Sequence, residues 1–233
     1  MERRAELEQR IAVVRARIAD AASAAGRDAG DVELVVVTKT YPTSDVDLLA
    51  ELGIGHVGEN RPPEARDKRA SSELADSLVW HFIGAVQTNK AKAVAAYADV
   101  VESVDRDRLV TALSRGAVAA GRELPCLIQV DLEDADRAER SGCRPAEVPA
   151  LAERVATAEG LVLRGVMAVA PLGGDPARAF AELAGISTVL ATDHPGATTV
   201  SAGMSNDLEQ AVSAGATHVR IGRAVLGERA PNG

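Results

Sequence analysis

Lys39 stands where a cation is unexpected. In LVVVTKTYP, residues 34–42, it follows four apolar residues and a threonine, and Pro42 prevents any continuing ladder. Proteins almost never bury lysine unpaired, so a lysine ending such a strand is either solvated or poised for chemistry. A half-buried amine loses part of its proton affinity and becomes a nucleophile near neutral pH. Other polar residues recur at similar places. HVGEN aligns Asn60 with His56 and Gly58, and WHFIG sets His81 opposite in parity to Trp80 and Phe82. Gln129 and Asp131 close another apolar run, and HVRIG puts His218 and Arg220 on one face. SAGMSND (201–207) and RIGRAVLG (220–227) are small-residue loops running into helical segments. Gly203 and Gly222 would let backbone N–H groups approach an anion favoured by the helix dipole. Asn206 and Asp207 serve equally well as plain helix caps.

The elements that must carry these residues alternate strictly. An amphipathic helix over 3–25, with Leu7, Ile11, Val14 and Ile18 on one face, opens the chain. Strand-like runs follow at 34–39, 56–58, 79–84, 100–104, 126–132, 162–170, 198–203 and 217–222, with helical stretches between them. Several helices are expected to stop at glycine, at Gly121, Gly160 and Gly215. Eight alternating pairs predict a parallel sheet closed into a (β/α)8 TIM barrel, built as one domain over 1–233 with an extra N-terminal helix. The rival is an open doubly wound sheet, which usually carries a glycine-rich turn after its first strand. TKTYPTSD has no glycine.

Composition excludes several classes of function. The net charge of −8 disfavours a general nucleic-acid binder, and with 2% aromatic residues a base-stacking surface is improbable. No window approaches a membrane span, and the charged N-terminus lacks a signal core, so a cytoplasmic protein is expected. Cys126 and Cys143 are too few for a disulfide framework and are not spaced as metal ligands.

In a barrel, strand residues alternate between the interior and the helix layer, and function sits at the C-terminal ends. Lys39 shares parity with Val35 and Val37, so it caps the interior if the valines fill it. The polar residues are therefore expected to collect at that one end. The loops after strands seven and eight often bind phosphate in such barrels. An amine facing a phosphate loop suggests pyridoxal 5′-phosphate, its aldehyde held as a Schiff base on Lys39. Arg220 is placed to meet the ring nitrogen. Being always charged, it keeps that nitrogen unprotonated and weakens the ring as an electron sink.

The segments VVVTKTYP, HVGENRPPEARDK, WHFIGAVQTNKAKAV, SVDRDRL, LRGVMAVAP and VSAGMSNDLEQAVSAGATHVRIGRAVLG together resemble the pyridoxal phosphate homeostasis protein family. The resemblance runs in order from about residue 32 to 227. It implies a barrel of the alanine-racemase type (fold type III), with the cofactor held covalently on Lys39. By motif, Asn60 flanks the ring, Ser201, Gly203 and Met204 line the phosphate side, and Arg220 meets the ring nitrogen. Gly222 and Arg223 bind the phosphate. Two positions depart from the family pattern, which usually has threonine in place of Arg223 and often methionine in place of Ala202.

Three readings compete. The first is a protein of vitamin B6 homeostasis that stores pyridoxal phosphate or delivers it to apo-enzymes, without amino-acid catalysis. The second is a racemase or decarboxylase, and the third a phosphosugar-type barrel enzyme. Racemisation needs a second acid or base near Cα. Related racemases, by resemblance, take it as a tyrosine from a separate β-domain, and no such domain is expected after the barrel. Of the two tyrosines, Tyr41 lies near the mouth but suits packing better, and Tyr97 falls within a helix. The first reading is the expectation, as a monomer.

Overall fold

The computed structural model describes residues 2–133 and 141–228. RAPNG, 229–233, lies outside them. Eight parallel strands close into a barrel in sequence order. They are β1 (Glu33–Val37), β2 (His56–Glu59), β3 (Val79–Phe82), β4 (Val100–Val104), β5 (Leu124–Gln129), β6 (Leu161–Met167), β7 (Thr199–Ser201) and β8 (His218–Ile221). The helices are α1 (Glu2–Ala24), α2 (Thr43–Glu51), α3 (Pro62–Ser71), α4 (Ala91–Tyr97), α5 (Asp107–Ala119), α6 (Val148–Ala156), α7 (Pro176–Asp193), α8 (Leu208–Ser213) and α9 (Arg223–Leu226). Among the described residues no helix is long and apolar enough to cross a membrane.

The alternation seen in the sequence becomes two distinct layers. Leu34, Val36, Val57, Trp80, Val219 and Ile221 face outward and pack with α1, α2, α8 and α9 in one apolar cluster. Phe82, Val101, Cys126, Ile128 and Val166 do the same with α4–α7 in a second. The opposite parity faces inward. A methyl group placed on Gly58 would touch Val35 Cγ1 at 3.3 Å, Ile83 Cδ1 at 3.4 Å and Val37 Cγ2 at 3.6 Å, so these three side chains fill space left by the glycine. Val35 and Val37 do line the interior, and the residue two further on sits above them.

Helix α1 forms because its apolar residues recur at three and four positions with neither glycine nor proline until Gly26. Leu7, Ile11, Val14 and Ile18 are all buried along that stripe. Burying each contributes up to about 1.5–3 kcal/mol, an upper figure because unfolded chains already hide some surface. Arg3 pins the N-terminal end to Asp45 of α2 at 2.6 Å and to the Leu226 carbonyl of α9 at 3.0 Å. Gly121 and Gly215 follow α5 and α8 with φ of 64° and 101°, the left-handed exit that only glycine takes cheaply. Gly160 also has positive φ, but α6 ends earlier at Ala156, so it turns the chain into β6 instead.

Candidate functional site

The base of the site is a turn. β1 ends at Val37, and the chain closes a turn in which Tyr41 N–H donates to the Thr38 carbonyl at 3.0 Å. Lys39 and Thr40 occupy the middle. Thr40 has φ of 69°, the only non-glycine residue with positive φ among those described. A β-branched residue there is strained, since a turn of this kind favours glycine or asparagine. Lys39 is half-buried and faces a cavity of about 430 Å³ at the C-terminal mouth of the barrel. Arg220, Gly222 and Arg223 line the same cavity, as do Met204 through Asp207 and the loop after β6.

The candidate residues divide into wall and support. Lys39, Met204, Arg220, Gly222 and Arg223 are on the wall. Arg223 is exposed, consistent with a side chain that leaves the loop free at its backbone. At Gly222 an added Cβ would meet only Val37, at 3.4 and 3.6 Å, so packing there does not demand glycine. Gly203 differs. Its φ is 92° and an added Cβ would lie 2.6 Å from the Ala211 Cβ, so it is required for the approach of α8. Ser201 is fully buried beneath the wall, joined to it through Arg220. Asn60 is half-buried just beyond β2, and its Oδ1 is buried with no hydrogen-bonding partner among the described residues. Asp207 does not cap α8 with its own side chain. Its Oδ1 instead accepts the Met204 N–H at 2.6 Å, closing the small-residue loop on itself.

Beneath the cavity runs a polar column that sequence parity could not position. Arg220 donates from Nη1 to Ser201 Oγ at 2.7 Å and from Nη2 to the Ala168 carbonyl at 2.8 Å. Ser201 donates to Glu102 Oε2 at 2.7 Å, and His81 Nδ1 donates to Glu102 Oε1 at 2.7 Å. His81 Nε2 in turn shares a hydrogen bond with His56 Nδ1 at 2.9 Å. His218 completes a cluster of three imidazoles, 5.9 Å from each of the others by ring centroid. The expectation that these polar groups collect at the mouth is corrected here. His218 pairs in register with Glu33, the first residue of β1, so the histidines lie toward the opposite end. Gln129 and Asp131 also stay off the cavity wall, Gln129 donating to the Ser141 carbonyl at 2.8 Å.

Electrostatics follow the column. Burial opposes ionisation of Glu102, but the His81 hydrogen bond and charge, with Arg220 and Ser201, lower its pKa to about 2. Burial lowers Arg220 from its ordinary value, opposed by the charges of Glu102 and Asp207. A guanidinium with those neighbours stays charged. Burial also lowers His218 to about 4. No group of three or more metal-ligating side chains among the described residues is arranged to hold an ion. Cys126 and Cys143 are buried free thiols whose pKa values burial pushes up to about 12, which makes them inert filler.

Comparison with known proteins agrees with this architecture. The family model of the alanine racemase N-terminal domain matches residues 11–230. The pyridoxal phosphate homeostasis protein of Mycobacterium tuberculosis is 42% identical over 244 aligned residues, covering 98% of this chain and 95% of that protein. PipY of Synechococcus elongatus, solved with PLP bound, is 30% identical with a TM-score of 0.77, covering 95% of this chain and all of that one. Alanine racemase of Corynebacterium glutamicum, 14% identical, has a TM-score of 0.68 over 99% of this chain and 62% of its own, a likeness of fold alone. With a curated relative this similar along nearly its whole length, the chain belongs to the pyridoxal phosphate homeostasis protein family, built on the alanine racemase N-terminal domain.

Proposed function

We propose that the cavity holds pyridoxal 5′-phosphate, with Lys39 supplying the amine that takes its aldehyde. The observation that carries this reading is the convergence of Lys39, Arg220 and Gly222 on one cavity at the mouth of the barrel. PipY, 30% identical, has been solved with PLP bound, which supports the same ligand here. When bound, the group contributes an aldehyde that condenses with a primary amine and releases water. The residues fit it. Lys39 offers the amine and Arg220 a fixed cation for the ring nitrogen, while Asn60, off the cavity wall just beyond β2, would flank the ring from that side. The backbone of Gly222 and Arg223, with Met204 and the loop above Ser201 and Gly203, would grip the phosphate.

The role that follows is homeostasis of the cofactor without amino-acid turnover, in the cytoplasm, by a single-domain monomer. A decarboxylase profits from a protonated pyridine, and Arg220 opposes that. Tyr41, the tyrosine nearest the mouth, is buried, and its hydroxyl donates to the Gly227 carbonyl at 2.7 Å. That engagement disfavours it as a free acid or base. The rim carries exposed Val169, Leu172 and Met204, an apolar margin against which an acceptor apo-enzyme could dock during handover.

Visible absorption of the purified protein with added pyridoxal phosphate, followed by borohydride reduction and peptide mapping, tests the reading. The mass increment is expected on the peptide containing Lys39 and absent from Lys39→Ala. A colourless protein, or label elsewhere, overturns it. Turnover of an amino acid at enzymatic rates, dependent on Lys39, would overturn the non-catalytic role.

A further inference from the structure

Behind Lys39 lies a second lysine that the cavity does not use. Lys68 of α3 is buried, and its Nζ donates to Glu59 Oε1 at 2.6 Å, to the Thr38 carbonyl at 2.8 Å and to Glu64 Oε1 at 3.1 Å. Three acceptors match the three donors of an ammonium. Glu59 is itself buried at the end of β2 and accepts the Thr38 hydroxyl at 2.7 Å. Glu64 also accepts the Thr40 N–H. Every partner of Lys68 therefore either belongs to, or is bonded to, one of the two residues flanking Lys39.

A buried ion pair is an expensive way to stabilise a fold. Desolvation costs several kcal/mol per ion, and apolar residues of similar size often serve as well. What an aliphatic side chain cannot do is hold the backbone polar groups on either side of a strained turn. Thr40 keeps φ of 69° with a branched side chain, a conformation that costs about 1–3 kcal/mol and persists only where the surroundings enforce it. The N–H of that residue is the group Glu64 holds, and Lys68 holds Glu64. Burial opposes ionisation of Glu64, but Thr40 and Lys68 outweigh it, and its pKa lies below the ordinary value.

We propose that Lys68, through Glu59 and Glu64, is a positioning residue that locks the Thr38–Tyr41 turn and so aims the Lys39 amine into the cavity. The inference rests on the reading of Lys39 as the aldehyde-binding lysine. It assigns α3 a function, since this helix delivers both Glu64 and Lys68, one turn apart, to the back of the β1 turn. It also assigns a purpose to the non-glycine residue at position 40. A glycine would populate several conformations there, whereas a clamped threonine holds one.

The test uses Lys68→Met and, in case that variant does not fold, Glu64→Ala, whose side chain is a quarter exposed. Each is compared with wild type and with the same change combined with Thr40→Gly, which takes positive φ without help. Two quantities are read in folded protein: hydrogen exchange of the Thr40 amide without cofactor, and capture of pyridoxal phosphate by visible absorption. Loss of Thr40 protection is expected, with capture weakened by about tenfold or more, because small misplacement of a reacting group is costly. Thr40→Gly in the same chain is expected to restore most of the capture. A merely structural Lys68 would lower the melting temperature, leave capture within about twofold of wild type, and gain nothing from the glycine; that result overturns the proposal. If wild type itself captures nothing on Lys39, the cofactor reading fails instead, and Thr40 exchange still reports on the clamp.

Discussion

Glu102 and Arg220 face each other through the barrel axis. Their strands, β4 and β8, are four apart in the closed ring of eight, yet Glu102 Oε2 lies 3.8 Å from Arg220 Nη1, with Ser201 bonded to both. Such barrels are usually filled by layers of branched aliphatic side chains. Here the centre is a fully buried carboxylate matched to a buried guanidinium, and the cation that meets the cavity is held from below.

That pairing predicts an asymmetric response to mutation. Glu102→Ala leaves Arg220 buried without its countercharge and should cost about 3–5 kcal/mol in urea unfolding. Arg66→Ala, which removes an exposed pair with Asp67, should cost about 0.5 kcal/mol or less. Comparable losses in the two variants would contradict the arrangement.

The histidine cluster predicts an acid limb of stability. His218 is lowered from its ordinary value of 6.5 to about 4, chiefly by burial and then by His81, with Glu102 opposing. His56 shifts in the same direction by burial, then by His81, with Glu33 and Glu102 opposing. A depressed histidine takes its proton in the unfolded chain first, so its contribution is complete above pH 6.5 and is lost as pH falls toward 4. For His218 the loss is on the order of 3 kcal/mol. Urea unfolding across that window should show the decline, and His218→Gln should flatten it. Glu102, with its pKa near 2, acts only at lower pH, below its ordinary 4.5.

Gly84 predicts a route to Asn60. A Cβ there would lie 2.4 Å from the Asn60 carbonyl oxygen and 2.8 Å from its Cα. Gly84→Ala must therefore displace Asn60, at a cost of about 1–3 kcal/mol, and weaken pyridoxal phosphate binding. Unchanged affinity in a folded Gly84→Ala protein would remove Asn60 from the site.

Tyr41 separates packing from chemistry. Tyr41→Phe deletes only the bond to the Gly227 carbonyl and should lower stability by about 1 kcal/mol while leaving cofactor capture intact. A variant of normal stability that no longer captures the cofactor would reassign this tyrosine to the site.

The local readings that succeeded depend on short-range rules. Period-two alternation set the inward face of Val35, Val37, His81 and Arg220, and helical spacing drew the buried stripe of α1. Glycines marked the ends of α5 and α8. The lysine at the end of β1 was legible because a cation after a buried run is conspicuous whatever follows it. The clamp was not. Glu59, Glu64 and Lys68 read as ordinary charges in a polar helix and its approach, because nothing in GENRPPEARDK shows that Lys68 is buried against the turn after β1.

Parity assigns a side chain to a face but says nothing of its height along the barrel. Height depends on how each strand is staggered against its neighbours, a property of closure. So the alternation of the chain alone determined which residues point inward. Only the closed ring decided that His56, His81 and His218 lie below the cavity, that Ser201 supports Arg220, and that β4 meets β8 across the centre.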